Sequence, residues 1–222
     1  MAIIFTDRRD AGRRLAEALR PTAAGKDRLV FGLPRGGIPV AYEVALALDA
    51  PLDVFVVRKL GAPVQPELAM GAIASGGIRI LNDDVISELR IPAEAVEFVA
   101  EAEQRELARR EIAYRGSRPP ADVRGRTVIV VDDGLATGAT MMAAVEALRR
   151  RQPAAIIAAA PVGAPETCEL IRDAADACIC VECPRPFHGV GEWYADFTQT
   201  TDAEVSALLE SALFAASARR DR

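Results

Sequence analysis

The chain has 222 residues, of which 50% are hydrophobic and 27% charged, and a formal net charge of −5. This length and balance predict one soluble globular domain over residues 1–222. The acidic charge argues against a nucleic-acid partner, which needs a basic surface to neutralise phosphates. No apolar run approaches the ~18 residues of a membrane span, so we expect a cytoplasmic protein without a membrane contact.

The first half of the chain alternates apolar runs with amphipathic stretches. Apolar runs without polar alternation are typical of strands covered on both faces of a parallel sheet. Turn residues in GAPVQPE predict a mobile loop, and SGG predicts the tip of a hairpin between MGAIA and IRIL. In chain order we predict a helix over 7–20, a strand over 28–33, a helix from about Ile38, a strand over 52–60, the hairpin within 61–83 and a long charged helix over 92–115.

The second half continues the same rhythm. Repeated strand–helix–strand units predict an α/β fold with a doubly wound parallel sheet and right-handed crossovers. Residues 183–202 show no clear period. The predicted elements are a strand over 126–133 with a helix after it, strands over 154–162 and 177–182 separated by a helix over 165–175, and a final helix that begins at Thr201 or Asp202.

The four cysteines, at 168, 178, 180 and 183, precede the only histidine, His188. A CxCxxC…H arrangement suggests a zinc site, but its spacing matches no closed zinc module well. CICVE has the pattern of a buried strand, in which free cysteine behaves as a small hydrophobic residue. The sequence therefore favours thiols that pack in the core over thiols that bind a metal.

The stretch VIVVDDGLATGATM joins a buried strand to a helix through two acids and a loop of small residues. In a parallel sheet, ligands bind beyond the carboxyl ends of the strands. Gly138 permits close approach of a ligand, Thr137 and Thr140 offer hydroxyls, and the start of the helix offers unpaired N–H groups. These features predict a phosphate cradle, beside which Asp132 and Asp133 face the hydroxyls of a sugar. A ribose 5-phosphate meets both requirements.

VIVVDDGLATGAT resembles the signature for phosphoribosyl pyrophosphate (PRPP) in type I phosphoribosyltransferases. GLPRGGIPVAYE and VRKLGAPVQPELAMGAI are similar to stretches of a bacterial group known only as predicted phosphoribosyltransferases, of unknown acceptor. The resemblance covers a core of about 28–182. It implies transfer of ribose 5-phosphate from PRPP to a nitrogenous acceptor, with release of pyrophosphate. The residues that it assigns to the 5-phosphate are Ala136, Thr137, Gly138, Ala139 and Thr140.

The resemblance also assigns a pyrophosphate site to two other segments. LPRGG stands where the family has its pyrophosphate loop, so Gly36 and Gly37 would allow close approach and Arg35 would add a cation. VVRKL places Arg58 and Lys59 at the expected end of the strand over 52–60, where the family often carries a basic residue. The alternatives are a plain glycine turn and two solvated cations.

A flexible loop over about 60–80 is the third feature that the resemblance implies. In the family this loop closes over the reacting centre and excludes water, and Glu67 is a candidate substrate contact. Mg²⁺ is the implied cofactor, held chiefly by PRPP itself, with Asp132 and Asp133 as the candidate protein contacts. Asp132, Asp133, Lys59 and Arg35 are thus the candidate catalytic residues.

The acceptor would be chosen by a hood, the irregular segment over about 183–200. Its aromatic and imidazole groups could meet a planar ring, although aromatics more often pack the tail onto the sheet. Hypoxanthine–guanine enzymes carry an aspartate where this chain has Ala136, which argues against 6-oxopurine acceptors. The candidate hood residues are Phe187, His188, Trp193, Tyr194 and Phe197.

Two other functions stay open on the sequence. One is a PRPP-sensing regulator that binds ligand without turnover, and the other is a salvage enzyme that uses a different pentose phosphate. The absence of a basic patch weighs against the regulator, since such proteins usually bind nucleic acid. The charged helix over 92–115 is predicted as a solvated face, or as a contact in a homodimer.

Overall fold

The structure, a computed structural model, describes residues 3–23, 25 and 27–220. Its elements in chain order are α1 (Arg8–Leu19), β1 (Arg28–Gly32), α2 (Gly37–Ala47), β2 (Leu52–Val54), β3 (Val57–Ala62), β4 (Gln65–Ala74), β5 (Ile78–Leu81), α3 (Asp83–Glu88), α4 (Ala93–Arg115), β6 (Thr127–Val131), α5 (Ala139–Arg149), β7 (Ala155–Val162), α6 (Pro165–Ala174), β8 (Ala177–Glu182), a 3-10 turn (Val190–Trp193) and α7 (Asp202–Arg220).

The central sheet has the strand order β2–β1–β6–β7–β8, and every neighbouring pair in it is parallel. A separate antiparallel sheet follows the order β3–β4–β5. The chain therefore enters the parallel sheet at the inner strand β1, adds the edge strand β2 beside it and later builds the other side with β6, β7 and β8. The doubly wound α/β fold predicted from the sequence is confirmed.

Strand β6 shows why the sheet needs helices on both faces. Ile129 and Val131 pack with α1, α2, α4 and α7, whereas Val128 and Val130 pack with α5 and α6. Alternate residues of a strand point to opposite faces, so an unbroken apolar run buries side chains on both sides. The two acids come directly after this strand, which ends at Val131. The sequence analysis had placed them inside the strand.

The single strand predicted over 52–60 is wrong. The chain leaves the parallel sheet after β2, and the backbone of Val56 pairs with Ser75 instead of with β1. Ser75 N donates to the Val56 carbonyl at 2.9 Å, and Val56 N donates to Ser75 Oγ at 2.9 Å. Residues 52–56 are all buried on both sides of the change between sheets, so the apolar run gave no sign of it.

The segment predicted as a flexible loop over 60–80 forms two hairpins, β3–β4 and β4–β5. The stretch GAPVQPE, expected as a loop, contains the end of β3 and the start of β4. The predicted hairpin between MGAIA and IRIL is confirmed, with Gly76 and Gly77 at φ of 88° and 75° in its turn. These angles favour glycine, which explains the SGG tip.

Helices α4 and α7 agree with the sequence analysis. The long helix predicted over 92–115 is α4, and Thr201 caps α7 by accepting from Glu204 N at 3.2 Å while the Glu204 carboxylate accepts from Thr201 N. Across the described residues, each helix is too short or too polar to traverse a lipid bilayer.

Candidate active site

Asp132 and Asp133 lie immediately beyond the end of β6. Asp132 N continues the sheet by donating to the Ala159 carbonyl at 3.1 Å, and Asp132 Oδ1 accepts from Asp133 N at 2.9 Å. Burial, and then the neighbouring Asp133 carboxylate, raise the pKa of Asp132 well above its ordinary value. The strand end therefore brings two acids into one partly buried place, where they repel each other.

Arg8 balances the negative charge of Asp133 with its guanidinium. Its Nε donates to Asp133 Oδ2 at 2.8 Å, its Nη1 donates to the Thr198 carbonyl at 2.7 Å, and its guanidinium lies 3.9 Å from the centre of the Phe197 ring. The side chains are only 11% and 16% exposed for Arg8 and Asp133. Sequence reasoning missed Arg8, because it belongs to an arginine-rich helix that looks like an ordinary solvated surface.

The loop after the acids lies largely at the surface. Ala136 and Thr137 are exposed, as are Ala139 and Thr140 at the start of α5, whereas Gly138 is buried. Gly138 has a φ of 73°, the left-handed conformation in which it precedes the helix. The first N–H groups of a helix have no partner within the helix, and they carry its positive dipole end. This loop has the backbone geometry of an anion site.

Helix α6 supports the loop from behind. Thr167 Oγ1 donates to the Ala136 carbonyl at 2.6 Å. A Cβ at Gly138 would stand 2.5 Å from Thr167 Cγ2 and 3.2 Å from Ile171 Cδ1. Glycine at 138 is therefore required twice, by the backbone angle and by the close approach of α6.

The LPRGG loop lies directly against the acids, as expected for loops at the carboxyl ends of neighbouring parallel strands. A Cβ at Gly36 would collide with the Asp133 carboxylate, and one at Gly37 would stand 2.6 Å from the Val131 carbonyl. Arg35, which follows a cis peptide bond, lies near the start of α7 with its Nη1 4.0 Å from Asp202 Oδ1. The same Asp202 accepts from the Tyr114 hydroxyl, and burial and this bond raise the pKa of Tyr114 to about 12.

Arg58 and Lys59 lie inside β3, not at the end of a parallel strand as the sequence predicted. Neighbouring residues of a strand face opposite sides, and the two cations do so here. Arg58 pairs with Glu103 of α4 at 2.6 Å, whereas Lys59 Nζ lies 3.1 Å from the Glu67 carbonyl and 3.6 Å from the Glu67 carboxylate. Arg58 thus ties the hairpin to α4, and Lys59 is the cation on the other face.

A cleft of ≈ 830 Å³ opens between this antiparallel sheet and α5. Lys59, Ala139 and Thr140 line it, whereas Asp132 and Asp133 do not. The cleft therefore reaches the start of α5 and stops short of the carboxylates. Lys59 is a cation that the hairpins contribute to its lining.

The segment predicted as a hood does cover the acidic end of the motif. Tyr194 donates its hydroxyl to the Asp133 carbonyl at 2.6 Å, and burial together with the Asp133 charge raises the pKa of Tyr194. The Val190 side chain contacts Gly134 so closely that a Cβ there would overlap it. The hood and the acids therefore form one packed unit.

The aromatic residues of the hood differ in exposure. Trp193 is buried in a cluster with Phe5 and Val162 and stacks with Phe187 at 6.5 Å between ring centres, whereas His188 is exposed. Trp193 thus contributes to the core. A contact of Phe187, His188 or Trp193 with an acceptor remains a prediction.

The two carboxylates are the candidate contacts for Mg²⁺. Their oxygens are hard donors of the kind that Mg²⁺ prefers, and it is usually bound by one or two carboxylates plus substrate oxygens and water. One oxygen of each acid accepts a hydrogen bond within the protein, Asp132 Oδ1 from Asp133 N and Asp133 Oδ2 from Arg8 Nε. The second oxygen of each is the candidate metal contact. The residues present fit a metal that arrives with a phosphorylated ligand.

Comparison with known proteins gives consistent matches. The family model for the phosphoribosyl transferase domain matches residues 5–196. A Mycobacterium tuberculosis protein that bears a provisional phosphoribosyl transferase name is 46% identical over 209 residues, which are 94% of this chain and 47% of that protein. The chain thus spans about half the length of the curated relatives it matches first.

Two further proteins match most of the chain. A Thermus thermophilus protein of known crystal structure is 41% identical and superposes with a TM-score of 0.84, covering 94% of this chain and 98% of that one. A uracil phosphoribosyltransferase from Bifidobacterium adolescentis is 29% identical over 143 residues, 63% of this chain and 65% of that protein. The range matched by the family model includes Arg8 and Tyr194 as well as the acids.

We predict that Asp132→Asn and Asp133→Asn change stability in opposite directions at pH 7. The pKa of Asp132 is higher in the folded state than in the unfolded state, so between these two values the folded state binds more protons. The contribution of Asp132 to stability therefore falls as the pH rises from about 4, the ordinary pKa of an aspartate. Asparagine removes this loss, and Asp132→Asn should melt above the wild type at pH 7 and converge with it in acid. Asp133→Asn leaves Arg8 without its counter-charge and should melt lower. Melting curves across pH that move both variants in the same direction would contradict this assignment.

Gly138→Ala should lower the free energy of unfolding by more than the strain of its left-handed backbone angle alone would. Gly125 is the matched control, because its φ of 71° is similar and nothing lies within 4 Å of its added Cβ. Gly125→Ala should lose about 1–2 kcal/mol of unfolding free energy, and Gly138→Ala about 1–3 kcal/mol more. Thr167→Ser removes Cγ2 but keeps the hydroxyl, so it should recover part of the extra cost in the double variant. Equal losses at both glycines, measured by urea denaturation, would show that α6 does not constrain the loop.

Proposed function

The chain belongs to the phosphoribosyl transferase domain family, and on this basis we propose that it transfers ribose 5-phosphate from PRPP to a nitrogenous base, with release of pyrophosphate and dependence on Mg²⁺. One observation carries the proposal. An acid pair and a largely exposed loop that begins helix α5 follow one another at the carboxyl end of β6, where a sugar and its phosphate would need them.

The 5-phosphate binds to the loop over 136–140. The first N–H groups of α5, which have no partner within the helix, supply hydrogen bonds, and the first turn of α5 contains no acidic residue that would repel the anion. The Thr137 and Thr140 hydroxyls add side-chain donors. Because α6 fixes the loop from behind, the amides are oriented before the ligand arrives.

The two acids hold the ribose. Displacement at the anomeric carbon passes through an oxocarbenium-like state in which positive charge builds up on the sugar, so nearby carboxylates stabilise it more than the ground state. Arg8 and the Tyr194 hydroxyl keep Asp133 and its backbone in place. Asp132 and Asp133 also supply the oxygens that would contact Mg²⁺, which when bound to PRPP offsets the charge of the departing pyrophosphate.

The pyrophosphate lies near the LPRGG loop. Gly36 and Gly37 allow the backbone to approach, and Arg35 is a partly exposed cation whose contact with Asp202 is long enough to be exchanged for a phosphate. Lys59, on the face of β3 that lines the cleft, is the candidate cation from the hairpin. Arg58 is a weaker candidate, because Glu103 already holds its guanidinium.

The hood over 183–200 is the proposed acceptor side. Phe187 and His188 are its accessible groups, and Ala136 leaves no carboxylate in the loop to act on a purine ring nitrogen. The uracil phosphoribosyltransferase of Bifidobacterium adolescentis, although only partly covered by the match, supports a nucleobase as the acceptor class. Nucleotide salvage is the corresponding role.

The test is to incubate the protein with PRPP and Mg²⁺ and a panel of nucleobases, measuring pyrophosphate release and PRPP binding separately. We expect release with at least one base and none without Mg²⁺. Asp133→Asn should lower turnover by about 10²–10³-fold, because it removes a charge that acts in the transition state. The control is Asp173→Asn on the exposed side of α6, which should leave turnover unchanged.

Two outcomes would overturn the proposal in different ways. Saturable PRPP binding without release for any base would identify a PRPP-sensing regulator instead of a transferase. Release that Asp133→Asn leaves at the wild-type rate would show that the acids do not act on the ribose.

A further inference from the structure

All four cysteines of the chain converge between α6 and β8. Cys168 belongs to α6, Cys178 and Cys180 lie two apart and share one face of β8, and Cys183 follows the end of that strand. The Sγ atoms of Cys168, Cys178 and Cys180 all lie within 4.8 Å of one another. The cysteine cluster is thus a feature of the tertiary structure, which spacing along the chain does not reveal.

Distances within the cluster suit a single cation. The Cys168 and Cys180 sulfurs are 3.0 Å apart, and the Cys183 sulfur is 3.6 Å from that of Cys168. Four thiolates at about 2.3 Å from a tetrahedral Zn²⁺ stand about 3.8 Å from one another. Cys168, Cys178 and Cys180 already have sulfurs near this spacing, whereas the exposed Cys183 side chain approaches only Cys168 and would have to turn inward to become the fourth ligand.

The surroundings favour a thiolate-bound metal over hard cations. All four candidate ligands are sulfur, a donor that selects Zn²⁺ or Cu⁺ and not Mg²⁺ or Ca²⁺. Arg172 stands one helical turn after Cys168 and would offset the negative charge of a metal–thiolate centre.

The backbone closes the cluster on the side of the active site. A Cβ at Gly163 would stand 2.5 Å from the Cys168 sulfur and 3.3 Å from the Cys180 sulfur. Gly163 also forms a bridge with Leu135 of the acid-containing loop, and Thr167, which holds that loop, directly precedes Cys168. A metal here would join α6 to β8 immediately behind the loop.

We propose that Cys168, Cys178, Cys180 and Cys183 form a structural Zn²⁺ site that fastens α6 to β8. This site is separate from the Mg²⁺ contacts of the acids, and it does not depend on the transferase activity. Binding releases thiol protons to solvent and forms metal–sulfur bonds without any change in oxidation state.

The experiment uses the full chain, reduced and freed of metal under anaerobic conditions, and titrated with Co²⁺ as a spectroscopic substitute for Zn²⁺. We expect one tetrahedral Co²⁺ per chain with thiolate-to-metal charge-transfer absorption, displaced by Zn²⁺ and unaffected by excess Mg²⁺. Zn²⁺ should also raise the melting temperature and protect all four thiols from a thiol reagent. Counting the thiols that the reagent modifies, with and without Zn²⁺, uses the wild-type protein. It therefore tests the proposal even if a cysteine variant misfolds.

Variants assign the ligands. Cys168→Ser and Cys180→Ser should weaken Co²⁺ binding by more than the roughly 10–100-fold that outer-shell changes cost. His188→Ala, which removes the only histidine, should leave the affinity unchanged. The proposal is wrong if the reduced wild type binds neither Co²⁺ nor Zn²⁺, if binding survives Cys168→Ser, or if the thiols stay reactive with Zn²⁺ present. Air oxidation that joins Cys168 to Cys180 in such a protein would identify a redox pair instead.

Discussion

The site depends on the cost of placing two adjacent carboxylates in one partly buried position at the end of β6. Like charges at this separation raise each other's energy, and burial removes the water that would screen them. The protein answers with Arg8 from the N-terminal helix on Asp133 and with a raised pKa at Asp132. The accommodation of Asp133 therefore depends on the first helix and the C-terminal hood being packed on the central sheet.

Three distant parts of the chain meet at this position. Arg8 comes from α1, Tyr194 and the Thr198 carbonyl come from the hood, and Thr167 of α6 holds the loop that follows the acids. Each contact uses a short hydrogen bond or a close-packed glycine, so the loop has little freedom to move. A preorganised set of amides and charges is what an enzyme needs to stabilise charge that appears only in the transition state.

The sequence predicted the parts that local chemistry determines. The fold followed from apolar runs that must be covered on both faces, and the place of the DDGLATGAT loop between a strand and a helix followed from the end of the apolar run. The place of LPRGG came from the family resemblance, and its closeness to the acids agrees with parallel strands whose carboxyl ends share one edge. These features depend on residues close together in sequence or on a general rule of sheets.

Other features arise from contacts that the sequence does not encode locally. Arg8 looks like the other arginines of its helix until the fold brings it to Asp133. The apolar run over 52–60 hides a change of sheet, because residues 52–56 stay buried as the chain leaves the parallel sheet, and this misplaced Arg58 and Lys59 at a strand end. The cysteines gather only when α6 packs on β8, since Cys168 lies ten residues before Cys178.

The most direct test of this account is a crystal structure of the protein with PRPP and Mg²⁺. The account predicts the 5-phosphate on the backbone N–H groups of residues 136–140, the ribose hydroxyls on Asp132 and Asp133, and Arg8 still paired with Asp133. A donor bound only in the cleft between the hairpins and α5, away from both acids, would contradict it.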